Sequence, residues 1–252
     1  TSGWQPSDLV IIAGRPAMGK TSFALSIAKN VAVDHGVPIG FFSLEMNNVQ
    51  LVNRLISNVC EISGKKILNG QLDPSEWERL DKKIRSLTGA PIYIDDTPGL
   101  SVFELRTKAR RLVREKGVKL LMIDYLQLMT SLKESDNRSA ELSEISRSVK
   151  SLAKELHVPI IALSQLNRSL EQRPNKRPVA SDLRESGAIE QDADIIMFIY
   201  RDDYYNKDSK EPNVAEVIIG KQRNGPTGTV KLYFQKNQTR FENLALGASN
   251  DV

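Results

Sequence analysis

The chain has 252 residues and a nearly balanced charge, with 35 Lys and Arg against 31 Asp and Glu for a net +4, one cysteine and two histidines. At roughly 100–200 residues per domain, this length suits one large or two small domains. A single cysteine excludes an internal disulfide framework and a Cys-cluster metal site, and two histidines argue against a His-rich site. No apolar run approaches the roughly 20 residues of a membrane span.

The N-terminal residues carry no signal-peptide pattern, so we expect a soluble, cytoplasmic protein with no membrane partner. The sequence begins at Thr1 rather than Met, which we interpret as a processed chain or an excised fragment. The excess of basic residues is too small to indicate nucleic acid by itself, and the positions of the charges are more informative.

Short apolar runs rich in Val, Ile and Phe predict strands along the whole chain, at residues 9–13, 39–44, 92–95, 119–123, 159–163, 195–200, 214–219 and 229–234. Helical patterns separate the early strands and recur at residues 102–116 and 139–156. Alternating strands and helices, followed by nearly uninterrupted strands, predict an α/β fold. We expect a mostly parallel sheet flanked by helices, with antiparallel edge strands near the C-terminus.

A phosphate-binding loop is predicted directly after the first strand and before an amphipathic helix. The pattern G-x-x-x-x-G-K-[ST] is matched, and with the next residue the candidate nucleotide-binding set is Gly14, Arg15, Pro16, Ala17, Met18, Gly19, Lys20, Thr21 and Ser22. Glycines let backbone N–H groups face the phosphates, Lys20 can reach the β- and γ-phosphates, and the Thr21 hydroxyl suits Mg²⁺. The sequence therefore predicts a site for ATP or another nucleoside triphosphate.

Two acidic residues after strands complete this prediction. Asp124 ends an apolar strand, as does the Walker B aspartate that holds Mg²⁺ through water. Glu45 follows another strand, which we expect to neighbour the strand of the phosphate loop, and is a candidate to activate the attacking water. Asp95 and Asp96 also follow a strand and compete with Glu45 for this role.

Five further blocks occur in register with the phosphate loop. They are Ser43-Leu44-Glu45-Met46, Ile123-Asp124-Tyr125-Leu126-Gln127-Leu128, Ser164-Gln165-Leu166-Asn167-Arg168, Asp182-Leu183-Arg184-Glu185-Ser186-Gly187 and Lys221-Gln222-Arg223-Asn224-Gly225-Pro226. With them, essentially the whole chain resembles the C-terminal motor domain of the DnaB-type replicative DNA helicases, which is similar in fold to RecA. The resemblance implies a single RecA-like domain, without the family's N-terminal helical domain and linker helix.

The resemblance also implies a function and partners. It implies a homohexamer that hydrolyses ATP with Mg²⁺ between subunits, moves 5′–3′ on single-stranded DNA at the fork, and contacts a primase and a helicase loader. Lys20, Thr21, Glu45 and Asp124 would form the catalytic and metal site, and Gln165 would sense the γ-phosphate. Arg223, beside Lys221, would be the arginine finger for a neighbour's ATP. Arg184, Glu185 and Gly187 would contact the DNA backbone.

The residues alone are also compatible with ordinary structural roles. Lys221 and Arg223 also suit a solvated pair on an edge strand, Gln165 suits a polar strand end, and Arg184 with Glu185 suits a surface ion pair. The basic stretch 168–178 is interpreted as a loop that neutralises DNA phosphates, and the basic face of helix 102–116 as solvated or facing a neighbour. The rival functions are a RecA-type recombinase and a nucleotide-gated DNA-binding module without turnover.

Overall fold

In the computed structural model, which describes residues 3–131 and 137–244, one sheet of nine strands runs through the molecule. The strands are β1 Leu9–Gly14, β2 Ile39–Ser43, β3 Ile92–Asp95, β4 Leu120–Asp124, β5 Ile160–Gln165, β6 Ile195–Tyr200, β7 Val214–Gln222, β8 Gly228–Gln235 and β9 Arg240–Asn243. Their order across the sheet is β3-β2-β4-β5-β1-β6-β7-β8-β9. The pairs from β3 to β6 are parallel, and those from β6 to β9 are antiparallel.

Helices connect the parallel strands and cover both faces of the sheet. They are α1 Lys20–Ala28, α2 Asn48–Cys60, α3 Gly64–Asn69, α4 Pro74–Thr88, α5 Val102–Lys116, α6 Arg138–Leu156, α7 Gly187–Asp192 and α8 Asp202–Tyr205, with a π-helical turn Lys29–Asp34 after α1. Short 3₁₀ turns lie at Leu126–Leu128, Arg168–Gln172, Ala180–Ser186 and Lys236–Gln238. Capping boxes at Asn47, Asp73 and Ser101 begin α2, α4 and α5, where the side chain and the residue at the third helical position satisfy free backbone N–H groups.

The two faces of the sheet bury separate apolar layers, because side chains alternate along each strand. Leu9, Ile11 and Ala13 of β1 pack toward α5 and α6, while Val10 and Ile12 pack toward α1, α2 and the antiparallel strands. The central strands β1, β4 and β6 are buried along their whole length. This rigid centre carries the loops at the carboxyl ends of the parallel strands.

The architecture matches the sequence prediction, with some differences. All eight predicted strands form, but β9 was not predicted, and the turn Arg168–Gln172 is helical where a continuous loop was expected. The polar stretch 130–138 also predicts a long loop, and its residues 132–136 lie outside the described part of the structure. Within the described ranges, we find no helix that is both long and apolar enough to span a membrane.

Candidate nucleotide-binding and nucleic-acid site

The phosphate loop leaves β1 and turns sharply into α1. Ala17 and Gly19 have φ angles of 65° and 98°, in the left-handed region. A Cβ atom at Gly19 would lie 3.1 Å from Phe241 and 3.4 Å from Phe234, which form the floor of the loop. Glycine is therefore required at Gly19 by both conformation and space. The N-terminal end of α1 faces the loop and favours bound anions.

Lys20, Thr21 and Asp124 come together at the mouth of this loop. The Lys20 ammonium donates to the carbonyl oxygens of Gly14 at 3.0 Å and Arg15 at 3.4 Å. The Thr21 hydroxyl donates to Asp124 Oδ2 at 2.7 Å. Burial lowers the pKa of Lys20, and burial also raises the pKa of Asp124 to about 6, against the Thr21 hydrogen bond. Burial thus disfavours the charged forms of both Lys20 and Asp124 unless an oppositely charged group lies close to each.

The Thr21–Asp124 pair fits a magnesium ion. Mg²⁺ prefers hard oxygen ligands and is usually held by one or two carboxylates together with phosphate oxygens and water. A hydroxyl and a carboxylate oxygen 2.7 Å apart offer such a donor set, and the buried carboxylate favours a neutralising cation. No cluster of three or more His, Cys, Asp or Glu that could hold a metal by itself occurs among residues 3–131 and 137–244. Substrate oxygens would therefore have to complete the metal's coordination.

Glu45 lines the same cleft, although the predicted position of its strand was wrong. β2 does not neighbour β1, because β4 and β5 lie between them. Glu45 nevertheless reaches the cleft, since the carboxyl ends of parallel strands meet at one edge of the sheet. Asp95 is held by Lys108 and Thr97, and Asp96 accepts a hydrogen bond from the Asn48 backbone. Neither aspartate lines the cleft.

The cleft has a volume of about 370 Å³ and includes side chains that the sequence interpretation did not assign to a role. These additional lining residues are Met46, Arg54, Tyr125, Arg201, Phe234, Lys236 and Thr239. Arg201 is buried, pairs with Asp203 at 3.0 Å and stacks over the Phe234 ring at 4.7 Å. Three of them had a sequence signal: Met46 and Tyr125 lie in the blocks that carry the family resemblance, and Arg54 follows the first of these blocks. The others come from the end of β6 and the antiparallel strands, and local sequence patterns do not predict that this part of the sheet lies beside the cleft.

Gln165 ends β5 between the cleft and a second cavity of about 430 Å³. Gln127 holds this strand end in place. Its amide nitrogen donates to Ser164 Oγ at 2.9 Å and to the Gln165 carbonyl at 3.2 Å, and its amide oxygen accepts from the Gln165 N–H at 3.3 Å. The exposed Gln165 side chain thus projects from a fixed backbone at the edge of the cleft.

Lys221 and Arg223 lie far from the phosphate loop of their own chain. Lys221 pairs with Ile196 near the start of β6, and Arg223 lines a small cavity with Asp194 and Ile195 at the amino edge of the parallel strands. The phosphate loop lies at the opposite, carboxyl edge, and a strand of six residues such as β1 spans roughly 20 Å. The pair cannot contact a nucleotide in its own cleft.

The same two cations are held to the C-terminal end of α7. The ammonium of Lys221 donates to the carbonyl oxygens of Glu190 and Gln191, and Arg223 donates to Gln191 at 2.7 Å and pairs with Asp194 at 3.5 Å. Burial lowers the pKa of Lys221, and the neighbouring Arg223 lowers it further. Both side chains face the same side, as their alternation along a strand predicts.

The predicted DNA contacts lie at the start of α7. The backbone of Arg184 and Glu185 belongs to the 3₁₀ turn Ala180–Ser186, and Gly187 begins α7. The side chains of residues 184–187 are outside the described part of the structure, so the contacts predicted for them remain predictions. The α7 helix connects this segment directly to the carbonyls that Lys221 and Arg223 contact.

The two other basic segments are partly neutralised within the chain. In the stretch 168–178, Arg173 pairs with Asp182, and Arg177 makes a bidentate pair with Glu216. On α5, Arg106 and Arg110 pair with Glu155 of α6. The phosphate-neutralising capacity expected of stretch 168–178 is therefore smaller than its composition indicates, and the α5 face supports helix packing.

A comparison with known protein families identifies the chain. The model of the DnaB-like helicase C-terminal domain matches residues 1–243. The chain belongs to this family. Two relatives are the replicative DNA helicase DnaB of Geobacillus stearothermophilus, 55% identical over 245 residues, and the replicative DNA helicase DnaC of Bacillus subtilis, 53% identical over 245 residues. Each alignment covers 97% of this chain and 54% of the relative, so the chain spans about half the length of these helicases.

Solved structures agree with the DnaB-like assignment. The ATPase domain of G40P superposes with a TM-score of 0.92 at 46% identity, covering 96% of this chain and 86% of that chain. A DnaB-like replicative helicase, studied with its interactions with primase, also gives 0.92 at 46% identity, covering 96% of this chain and 58% of that chain. The predicted α/β, RecA-like fold is confirmed.

Proposed function

We propose that this DnaB-like domain is the ATP-hydrolysing motor of a replicative DNA helicase. The observation that carries the proposal is the convergence of the phosphate loop, the Thr21–Asp124 pair and Glu45 on one cleft. These groups meet the needs of phosphoryl transfer, in which catalysis consists largely of positioning and charge stabilisation.

Each residue has a defined task in this proposal. Backbone N–H groups of the phosphate loop and the Lys20 ammonium bind the phosphates of ATP, and Thr21 and Asp124 would hold Mg²⁺. That ion would neutralise charge on the phosphate oxygens. Glu45 orients and deprotonates the attacking water, and Gln165, projecting between the cleft and the second cavity, contacts the γ-phosphate.

We assign the arginine finger to a neighbouring subunit. Because Arg223 and Lys221 lie at the far edge of the sheet from their own cleft, they act on the nucleotide of the next subunit in a ring. We propose a homohexamer that encloses single-stranded DNA and tracks it 5′–3′ through the segment of Arg184, Glu185 and Gly187. A primase and a helicase loader are its proposed partners, and the cytoplasm, where bacterial DNA replicates, is its proposed location.

The catalytic assignment is tested with two acidic residues that follow neighbouring strands. We expect Glu45→Gln to lower the kcat of ATP hydrolysis by about 10²–10⁴-fold, because the water loses its base, while ATP binding persists. The matched control is Asp95→Asn, which removes a carboxylate that Lys108 already engages outside the cleft. Phosphate release with and without single-stranded DNA measures both. Equal losses in the two variants, or no loss for Glu45→Gln, would contradict the assignment.

The helicase function is separated from its rivals by the product formed on DNA. On a forked duplex with a 5′ single-stranded tail, we expect ATP-dependent strand displacement by assembled rings and none with a 3′ tail alone. Strand exchange between homologous duplexes without displacement at forks would indicate a recombinase instead. DNA binding that depends on ATP without phosphate release would indicate a module without turnover.

A further inference from the structure

The Arg15 side chain lies inside the phosphate-loop motif but points away from the cleft. It is 5% exposed, and it does not line the nucleotide cleft. Its Nη1 donates to the Leu166 carbonyl at 2.8 Å, and its Nε donates to Glu171 Oε1 at 2.9 Å. The motif accepts any residue at position 15. In this chain that position carries a buried guanidinium that is hydrogen-bonded to the segment containing Leu166 and Glu171.

Leu166 is bound to the phosphate loop through both of its backbone groups. Its carbonyl accepts from Arg15, and its N–H donates to the Gly14 carbonyl at 3.3 Å. Glu171 belongs to the 3₁₀ turn Arg168–Gln172. The two hydrogen bonds of the Arg15 side chain, here called the Arg15 link, therefore connect the phosphate loop to the stretch from the end of β5 to this turn. Leu170, at the centre of the turn, is buried in the core.

Nucleotide phosphates compete for the hydrogen bonds at the base of this link. The Lys20 ammonium donates to the carbonyls of Gly14 and Arg15, the two residues that hold Leu166 and Glu171. Phosphate oxygens bind an ammonium more strongly than neutral carbonyls do, because their hydrogen bonds are charge-assisted. Binding of phosphates therefore changes the hydrogen bonding of the loop at the residues where the link begins.

We propose that Arg15 is a positioning residue that transmits occupancy of the phosphate loop to the segment 166–172. The Arg15 link begins at the part of the loop that binds the α- and β-phosphates. It therefore responds to ADP as well as to ATP, and it is distinct from Gln165, whose proposed contact is the γ-phosphate. The inference rests on the proposed function only in requiring that the cleft binds a nucleotide.

Amide hydrogen exchange of the whole chain tests the inference. In the unsubstituted chain, we expect saturating Mg²⁺–ADP and a non-hydrolysable ATP analogue each to slow exchange in peptides covering residues 166–173. In Arg15→Met, at nucleotide concentrations that saturate the variant, we expect this nucleotide-dependent difference to be lost. A full difference in Arg15→Met, or a difference in the unsubstituted chain seen only with the ATP analogue, would overturn the proposal.

A second variant keeps the test valid if Arg15→Met does not fold. Glu171 is 42% exposed, and Glu171→Lys replaces the ion pair of Arg15 with repulsion at the surface. We expect it to reduce the nucleotide-dependent difference, whereas the control Gln172→Lys places a lysine one residue further along the chain and retains the difference. Equal behaviour of these two variants would overturn the proposal.

The failure of the inference is distinguishable from that of the proposed function. Calorimetric titration of the unsubstituted chain with ADP and with the ATP analogue is performed first. Absence of binding would contradict the proposed nucleotide site itself. Binding with an exchange difference that does not depend on Arg15 would overturn only the inference.

Discussion

At the residue scale, the conformation of Gly19 shows how closely the nucleotide site depends on the antiparallel strands. The loop rests on Phe234 of β8 and Phe241 of β9, whose rings lie 4.5 Å apart between centroids. A motif of eight residues is thus supported by side chains more than 200 positions further along the chain. Any Cβ at Gly19 has to displace either these rings or the loop.

We expect Gly19→Ala to weaken nucleotide binding by on the order of tenfold or more. A shift of the loop by a few tenths of an ångström impairs charge-assisted hydrogen bonds worth about 1.5–3 kcal/mol each. The control is Gly36→Ala, because Gly36 also has a positive φ of 65° but has open space around its Cβ position. Titration with a fluorescent nucleotide measures both variants. Similar nucleotide affinity for Gly19→Ala and the unsubstituted chain would show that Phe234 and Phe241 move aside without weakening nucleotide binding.

At the scale of elements, three segments meet at Glu61, which ends α2. Its carboxylate pairs with Lys83 of α4 and Arg240 of β9, while its carbonyl accepts from Arg79 and Gln238. The hydrogen bonds from Lys83 and Arg240 lower the pKa of Glu61 from its ordinary value of 4.5 to about 2. The ionised carboxylate therefore contributes stability above pH 4.5, and this contribution is lost as the pH falls toward 2.

For this reason we expect Glu61→Gln to lower Tm by about 2–4 °C at pH 7 and by progressively less between pH 4.5 and pH 2. Glu78→Gln is the control, because Glu78 makes an exposed pair with Lys82 within α4. Thermal melts followed by circular dichroism across this pH range give the comparison. A difference for Glu61→Gln that stays constant with pH would exclude a role for the ionised carboxylate.

The sequence analysis did not predict the edge strand β9, but the packing of its Phe241 supports both the core and the phosphate loop. Phe241 is 7% exposed and meets Phe23 of α1 edge-on, with 5.2 Å between ring centroids. We expect Phe241→Ala to destabilise the fold by about 3–5 kcal/mol and to weaken nucleotide binding, because it removes part of the loop's floor. Tyr233→Ala, on the solvated face of β8, should cost about 1 kcal/mol or less. Urea unfolding with linear extrapolation compares them, and equal costs would refute this packing argument.

The successes and errors of the sequence prediction have physical causes. The phosphate loop, Asp124 and the amphipathic helices were predictable because their chemistry depends on neighbouring residues and regular spacing. The neighbours of β2 were not, because a crossover connection places β4 and β5 between β2 and the loop strand. The position of Arg201 over Phe234 and the internal pairing of Arg173 and Arg177 were also not predictable, since their partners are brought together only when the sheet forms.

At the scale of the whole molecule, the cleft and its proposed finger lie on opposite edges of one sheet. Lys20 lines the cleft at the carboxyl edge of the parallel strands, and Arg223 lies at the amino edge. Under the proposed mechanism, a single chain would therefore carry one half of each of two different sites. In a closed ring, every interface joins the Lys20 half of one subunit to the Arg223 half of the next.

This arrangement predicts complementation between two inactive variants. Lys20→Ala removes the ammonium that binds phosphate in its own cleft, and Arg223→Ala removes the guanidinium proposed to act on the neighbour's nucleotide. Rings of either variant alone should therefore hydrolyse little ATP. When equal amounts form mixed rings at random, about one quarter of the interfaces pair an intact Lys20 with an intact Arg223. We expect phosphate release to recover toward about that fraction of the unsubstituted rate, with ring assembly verified by mass in ATP, Mg²⁺ and single-stranded DNA. Rings of either variant alone serve as controls. Mixed rings that remain inactive would show that Arg223 does not act across the interface.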